Sequence, residues 1–142
     1  MKGGRSFLCC VASSLLCGCV STQHPNPLPR ITAAENAATI YVIRNKNFAG
    51  SAIAANVVCD GWSIAGLYTG RFVKFQADPG SHSVGVAESS HALNLEPKQT
   101  YYFLITLGSG GQGFEVERIP ETQAKERILQ SVELSLQNIG TQ

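Results

Sequence analysis

The sequence predicts an all-β, mainly antiparallel domain: a small β-sandwich of about seven to eight strands with one C-terminal α-helix. Three observations predict it. From residue 38 onward, short apolar runs alternate with turn residues. Asp60-Gly61 separates two of those runs and readily takes the positive φ angles of a type I′ hairpin turn. After residue 120 the apolar residues recur every four positions, the spacing of one helix face.

The elements follow in order. Ala38 to Arg44 reads as a strand through Ile40, Tyr41, Val42 and Ile43, and Asn45 to Ser51 as a polar loop. Ala52 to Cys59 and Trp62 to Ala65 flank the Asp60-Gly61 turn. Gly70 to Gln76 forms the next strand, and Asp78-Pro79-Gly80 a turn in which proline presets φ and glycine accepts φ above zero. Ser81 to Glu88 and His91 to Glu96 form a further hairpin turning at Ser89-Ser90, with Val84 and Val86 facing one way and Leu93 and Leu95 matching them.

After a turn at Pro97-Lys98, Thr100 to Leu107 is apolar on both faces, as a central strand is, and Phe114 to Ile119 is the last strand. Pro120, tolerated at the first helical position, and Glu121, suited to the positive end of the dipole, open a helix expected to run to residue 137. Its stripe is Ala124, Ile128, Val132 and Leu136, with Leu129 beside them. Residues 138–142 are left as a tail.

The first 37 residues have a different composition. Lys2 and Arg5 precede an apolar or small run from Phe7 to Leu16, the length of a signal h-region and too short to span a bilayer. The run ends in Leu15-Leu16-Cys17-Gly18-Cys19, which resembles the bacterial lipoprotein signal: a leucine three before the cysteine and a small residue directly before it. That resemblance implies cleavage between Gly18 and Cys19 and a diacylglycerol thioether on Cys19. Several acyl chains, at about 0.8 kcal/mol per buried methylene, anchor a protein to a membrane without spanning it. Val20 after the cysteine resembles the outer-membrane sorting pattern, so the expected location is the cell envelope, facing the periplasm.

Residues 1–18 are thus read as signal peptide and 19–37 as a tether. Pro25, Pro27 and Pro29 keep the tether extended, at about 3.1 Å per residue, and His24 lies in it. The sandwich occupies 38–119 and the helix 120–137.

Composition narrows the function classes. The chain has 142 residues, 44% hydrophobic and 15% charged, which suits one packed domain. Without Lys2 and Arg5, 9 basic residues stand against 10 acidic ones, so no basic face for nucleic acid is expected. Four of the five cysteines fall within the first nineteen residues. Cys59 is therefore left without a disulfide partner and is read as a small buried hydrophobe.

Three features could suggest chemistry. Gly108 to Gly113 has the glycine spacing of a dinucleotide loop, but Phe114 to Ile119 alternates as a strand, where phosphate binding needs a helix. His82, His91 and Glu88 could be metal ligands. With the turn at Ser89-Ser90, however, Glu88 pairs with His91 and His82 lies roughly 20 Å away, so no metal site is expected. No serine, histidine and aspartate set has a nucleophile context, so no catalysis is expected. Trp62 and Tyr68, with Tyr101 and Tyr102 on the late strand, are the aromatic residues available to a binding face, and Tyr102 with Leu104 is placed beneath the helix.

The segments ATIYVIRN, VVCDGWSIAGLYTGRFVKFQADPGSHSVGV and LEPKQTYYFLIT resemble a family of small bacterial envelope domains with a PEGA-like or transthyretin-like β-sandwich. The likeness covers about residues 38–120 and lies in the order strand, D-G hairpin, G-x-F strand, P-G-x-H turn and late T-Y-Y strand. It implies a fold and an envelope location and carries no catalytic residues. The resulting expectation is a non-enzymatic accessory lipoprotein, without cofactor other than the lipid on Cys19, that contacts another envelope protein. The alternative is a glycan- or peptidoglycan-binding module using Trp62 and Tyr68.

Overall fold

A computed structural model describes residues 28–29, 34–47, 49–134 and 136. Gly18, Cys19, the signal segment and most of the tether lie outside the described residues. Among the described residues, no helix is long and apolar enough to cross a membrane.

The chain forms β1 (Ala38–Arg44), β2 (Ala55–Cys59), β3 (Trp62–Leu67), β4 (Arg71–Ala77), β5 (Gly80–Val86), β6 (Ser89–Leu95), β7 (Thr100–Leu107), β8 (Phe114–Arg118), α1 (Glu121–Leu129) and a short β9 (Val132–Glu133). Two sheets result, one of order β8-β7-β1-β4-β9 and one of order β3-β2-β5-β6. Among the described residues the fold is the expected β-sandwich with one C-terminal helix, carried by nine strands because β9 adds to the β4 edge.

Strand alternation builds the core. Ile40, Val42, Val73, Phe75, Phe103 and Ile105 point from the first sheet toward Val57, Val84 and Val86 of the second, and all are buried. Burial of each such side chain contributes about 1.5–3 kcal/mol. The opposite parity makes a smaller layer, in which Ile43, Phe72 and Leu104 meet Ile119 and Ala124 under α1. That double burial explains why Thr100 to Leu107 is apolar on both faces.

Asp60 and Gly61 have φ of 52° and 82°, the positive pair that a type I′ turn requires, and Cys59 pairs with Trp62 across it. The Gly108–Gly113 segment joins β7 to an antiparallel β8 through a single 3₁₀ turn, Ser109–Gly111.

Three local expectations are corrected. The β5–β6 hairpin turns at Ala87-Glu88, since Val86 pairs with Ser89, and not at Ser89-Ser90. Glu88 therefore sits in the turn and does not pair with His91, whose partner is Val84.

The helix ends at Leu129 instead of residue 137. The Gln130 N–H closes on the Arg127 and Ile128 carbonyls, and the chain then pairs in parallel with β4, Val132 N–H donating to Gly70 O at 3.0 Å and Leu134 N–H to Phe72 O at 2.8 Å. Covering the backbone groups of the β4 edge outweighs two more helical turns. Leu129 is 87% exposed while Leu134 and Leu136 pack on the main core, so the four-residue period does not continue as one helix face.

Finally, Pro120 is the N-cap of α1 and Glu121 its first residue. Its carbonyl accepts the Ala124 N–H at 3.0 Å.

Candidate functional site

On the outer face of the first sheet, Tyr41 of β1 and Tyr102 of β7 stand directly opposite in parallel register. Their rings stack at 5.3 Å between centroids with 23° between planes. Phe72 of β4 lies on the other side of Tyr41, its ring centroid 6.2 Å away, and the Lys74 ammonium lies 5.7 Å from the Tyr41 ring centre. Helix α1 crosses above Leu104 and Ile43, so both tyrosines remain half-buried rather than covered.

Beside Tyr102 the surface sinks into an open hollow of about 300 Å³, lined by Thr100, Tyr101, Tyr102, Arg118, Ile119, Pro120 and Glu121. Tyr101, also a lining residue, turns its side chain into the main core, where its hydroxyl accepts the Glu96 N–H at 2.9 Å and donates to the Asn94 carbonyl at 3.4 Å. The Arg118 guanidinium lies 4.9 Å over the Tyr101 ring, which holds a cation at one wall. Partial burial pushes the Tyr102 phenol up, and the negative charge of Glu121 adds to the shift, so the hydroxyl stays a donor at neutral pH. The residues lining the hollow thus include two tyrosines, an arginine, a threonine and a glutamate.

A second cluster lies inside the sandwich. Cys59 ends β2, Asp60 follows it in the turn, and His82 points inward from β5 with Val84 and Val86; all three are buried. His82 Nδ1 is 2.6 Å from Asp60 Oδ2, and His82 Nε2 is 2.7 Å from the Asp78 carbonyl. The other carboxylate oxygen of Asp60 accepts the Ser83 N–H at 2.8 Å, and Cys59 Sγ lies 3.7 Å from Oδ2. One donor atom from each of the three side chains lies within 4.8 Å of the other two.

The structure does not bring Trp62 and Tyr68 together. Trp62 opens β3 and packs partly on the main core, while Tyr68 follows the last residue of that strand and is 49% exposed. Six residues of strand separate them by roughly 20 Å.

His91 is diagonal to His82 across the hairpin, not 20 Å along it, yet its Nε2 reaches the Val116 carbonyl at 2.7 Å. Tyr41, Lys74 and Arg118 were not singled out in the sequence; the signal available for Tyr41 was its parity opposite to the buried Ile40 and Val42.

Comparison of the chain with known protein families, with curated proteins and with solved structures finds no match.

Proposed function

We propose that the domain is a saccharide-binding module whose contact surface is the hollow beside Tyr102, continued by the Tyr102–Tyr41 pair. The observation that supports this reading is the composition of that single concavity. Aromatic side chains there offer apolar surface to the C–H face of a sugar, while Arg118, Thr100 and Glu121 surround it with donors and acceptors for hydroxyl groups. Its size lies at the lower end of small-ligand pockets, about 300–1,000 Å³, and suits one sugar unit of a longer chain. Arg118 adds a preference for a carboxylate-bearing glycan such as peptidoglycan. A lipid on Cys19 and the proline-bearing tether would hold the module within reach of the cell wall.

Sedimentation with purified peptidoglycan tests this. The wild-type protein is expected in the pellet, Tyr102→Ala and Arg118→Ala in the supernatant, and Tyr68→Ala in the pellet like the wild type. Wild-type protein that stays in the supernatant overturns the reading.

One observation favours a second reading, an envelope protein as partner. The edge strand β6, Ser89–Leu95, carries no proline and no lysine, arginine, aspartate or glutamate to guard it. A partner strand added there would extend the second sheet. Crosslinking in envelope fractions that traps one protein, and loses it in Ala92→Pro, is the result this reading requires.

A further inference from the structure

We propose that Cys59, Asp60 and His82 form a buried site for a thiophilic divalent cation, with zinc as the best fit to their chemistry. The inference is independent of the saccharide reading.

The decisive geometry is at His82. The Asp78 carbonyl can only accept, so Nε2 carries a hydrogen and donates it at 2.7 Å. Nδ1 then faces Asp60 Oδ2 at 2.6 Å. An imidazole lone pair and a carboxylate lone pair repel each other at that distance unless a positive centre lies between them. In the described geometry that centre is a proton, and a metal ion is the other species that fits the demand.

The surroundings match a metal site in three respects. Metal-bound histidines typically donate their remaining N–H to a carbonyl or carboxylate, as His82 does to Asp78. The Ser83 N–H holds the second oxygen of Asp60 and so orients the carboxylate. Cys59 supplies the soft donor that selects zinc over magnesium or calcium.

Bond lengths of about 2.0–2.3 Å place tetrahedral zinc ligands about 3.3–3.7 Å apart. The Sγ···Oδ2 separation of 3.7 Å already fits, and the Nδ1···Oδ2 distance needs to open by less than about 1 Å. Three protein donors leave the fourth position to water or an incoming ligand.

Charge balance favours the exchange. Cys59 Sγ donates toward Asp60 Oδ2 at 3.7 Å, as a protonated thiol does. The metal-free site then contains a neutral thiol and one proton shared between His82 and Asp60, for a net charge of zero. Entry of one dication with departure of these two protons gives a thiolate, a carboxylate, a neutral imidazole and a doubly charged ion, again zero. No net charge is buried in the exchange, which avoids the main cost of placing an ion inside a sandwich.

The test uses the full chain in detergent, with thiols reduced, treated with chelator and then titrated with Co²⁺ and with Zn²⁺. One equivalent of Co²⁺ is expected to produce a thiolate-to-cobalt charge-transfer band with tetrahedral visible absorption, and excess Zn²⁺ to bleach it. Native mass spectrometry should add one zinc and remove two protons. Cys59→Ser is expected to lose the band and to weaken zinc binding by more than about 100-fold, since it removes a ligand rather than an outer-shell contact.

A second variant with Cys9, Cys10, Cys17 and Cys19 all changed to serine keeps Cys59 as the single thiol and should retain the band. The proposal is overturned if the wild type gives no charge-transfer band, if the band survives in Cys59→Ser, or if it vanishes in the four-serine variant.

Discussion

His82 Nδ1 lies 2.6 Å from Asp60 Oδ2 across 22 residues of sequence, with both side chains buried. The contact ties the β2–β3 turn to the start of β5, and the Ser83 N–H bond to the same carboxylate doubles the tie. Asp60→Ala strands the imidazole and the Ser83 N–H together, and removing one partner of a buried pair costs about 3–5 kcal/mol. Asp60→Asn should cost less than about 1.5 kcal/mol, since its oxygen still accepts from Ser83, its NH₂ can donate to the His82 Nδ1 lone pair, and asparagine tolerates the 52° φ. Urea unfolding of both variants with chelator present checks the difference. Equal losses would mean that the backbone conformation, and not the side-chain tie, matters there.

The Cys59 thiol carries a pH dependence of known sign. Its folded-state pKa is raised above the unfolded value, first by burial and then by Asp60. Its contribution is therefore fully present below the unfolded thiol value of about 8.5 and is lost as pH rises beyond it. Metal-free protein should lose about 1.4 kcal/mol of stability per pH unit above that point from this group, and Cys59→Ala should flatten the slope by that amount. Unfolding midpoints between pH 8 and 10, wild type against variant, measure it. Parallel curves would show that the folded thiol ionises normally.

Much of this fold is written in local pattern. The bounds of β1 and β7 follow from apolar runs closed by polar residues, and Asp60-Gly61 announces its turn because few residue pairs take two positive φ angles. The β5–β6 turn is displaced because Ser89-Ser90 has the composition of a turn but belongs to a strand; only the pairing of Val86 with Ser89 decides. The end of α1 is invisible locally, since Val132 and Leu136 keep a helical period while pairing with β4 takes the chain away. The parallel neighbours β1 and β7 are equally silent, because alternation does not say which strand lies next to which.

At the sites, the parity of His82 with Val84 and Val86 already pointed it inward. Its partner Asp60 was hidden by a second role as turn residue. The surface hollow depends on the meeting of Arg118, Tyr101 and Tyr102 from two strands with the start of α1, and no single segment encodes it.

Arg44 shows how the sandwich holds a buried cation. At the end of β1, its guanidinium donates to the carbonyls of Gly50 and Leu67, each at 2.7 Å, and to that of Ile53, while lying 4.5 Å from the Phe114 ring centre. It thereby fastens the β1–β2 connection to the end of β3. Arg44→Met fills similar volume but takes a charged donor from three carbonyls, of which that of Gly50 keeps the Ile53 N–H at 3.1 Å, and should cost on the order of 2 kcal/mol or more at about 1–3 kcal/mol for each acceptor left unpaired. Arg44→Lys keeps the charge, but its compact ammonium lacks the planar fork that spans the three carbonyls, so roughly half that loss is expected. Limited proteolysis should cut residues 45–54 first in both variants. Cleavage at wild-type rates would show that the connection is held by other contacts.

Gly85 sets the closeness of the β5–β6 hairpin. A Cβ at this position would lie 2.2 Å from the Ser89 carbonyl oxygen and 2.5 Å from Ser90 Cα, both backbone atoms. Gly85→Ala must therefore shift the hairpin backbone, which costs about 1–3 kcal/mol for an overpacked site. Gly66 in β3 is the matched control, because a Cβ there meets only the Ala54 methyl at 3.6 Å, an ordinary contact. Gly66→Ala should leave stability within about 1 kcal/mol of wild type, with a gain from reduced unfolded-state freedom if the backbone does not move. Since Asp60 reaches Ser83 two residues before Gly85, Gly85→Ala should also weaken the His82–Asp60 contact, seen as a change in the His82 imidazole NMR shifts that Gly66→Ala does not produce.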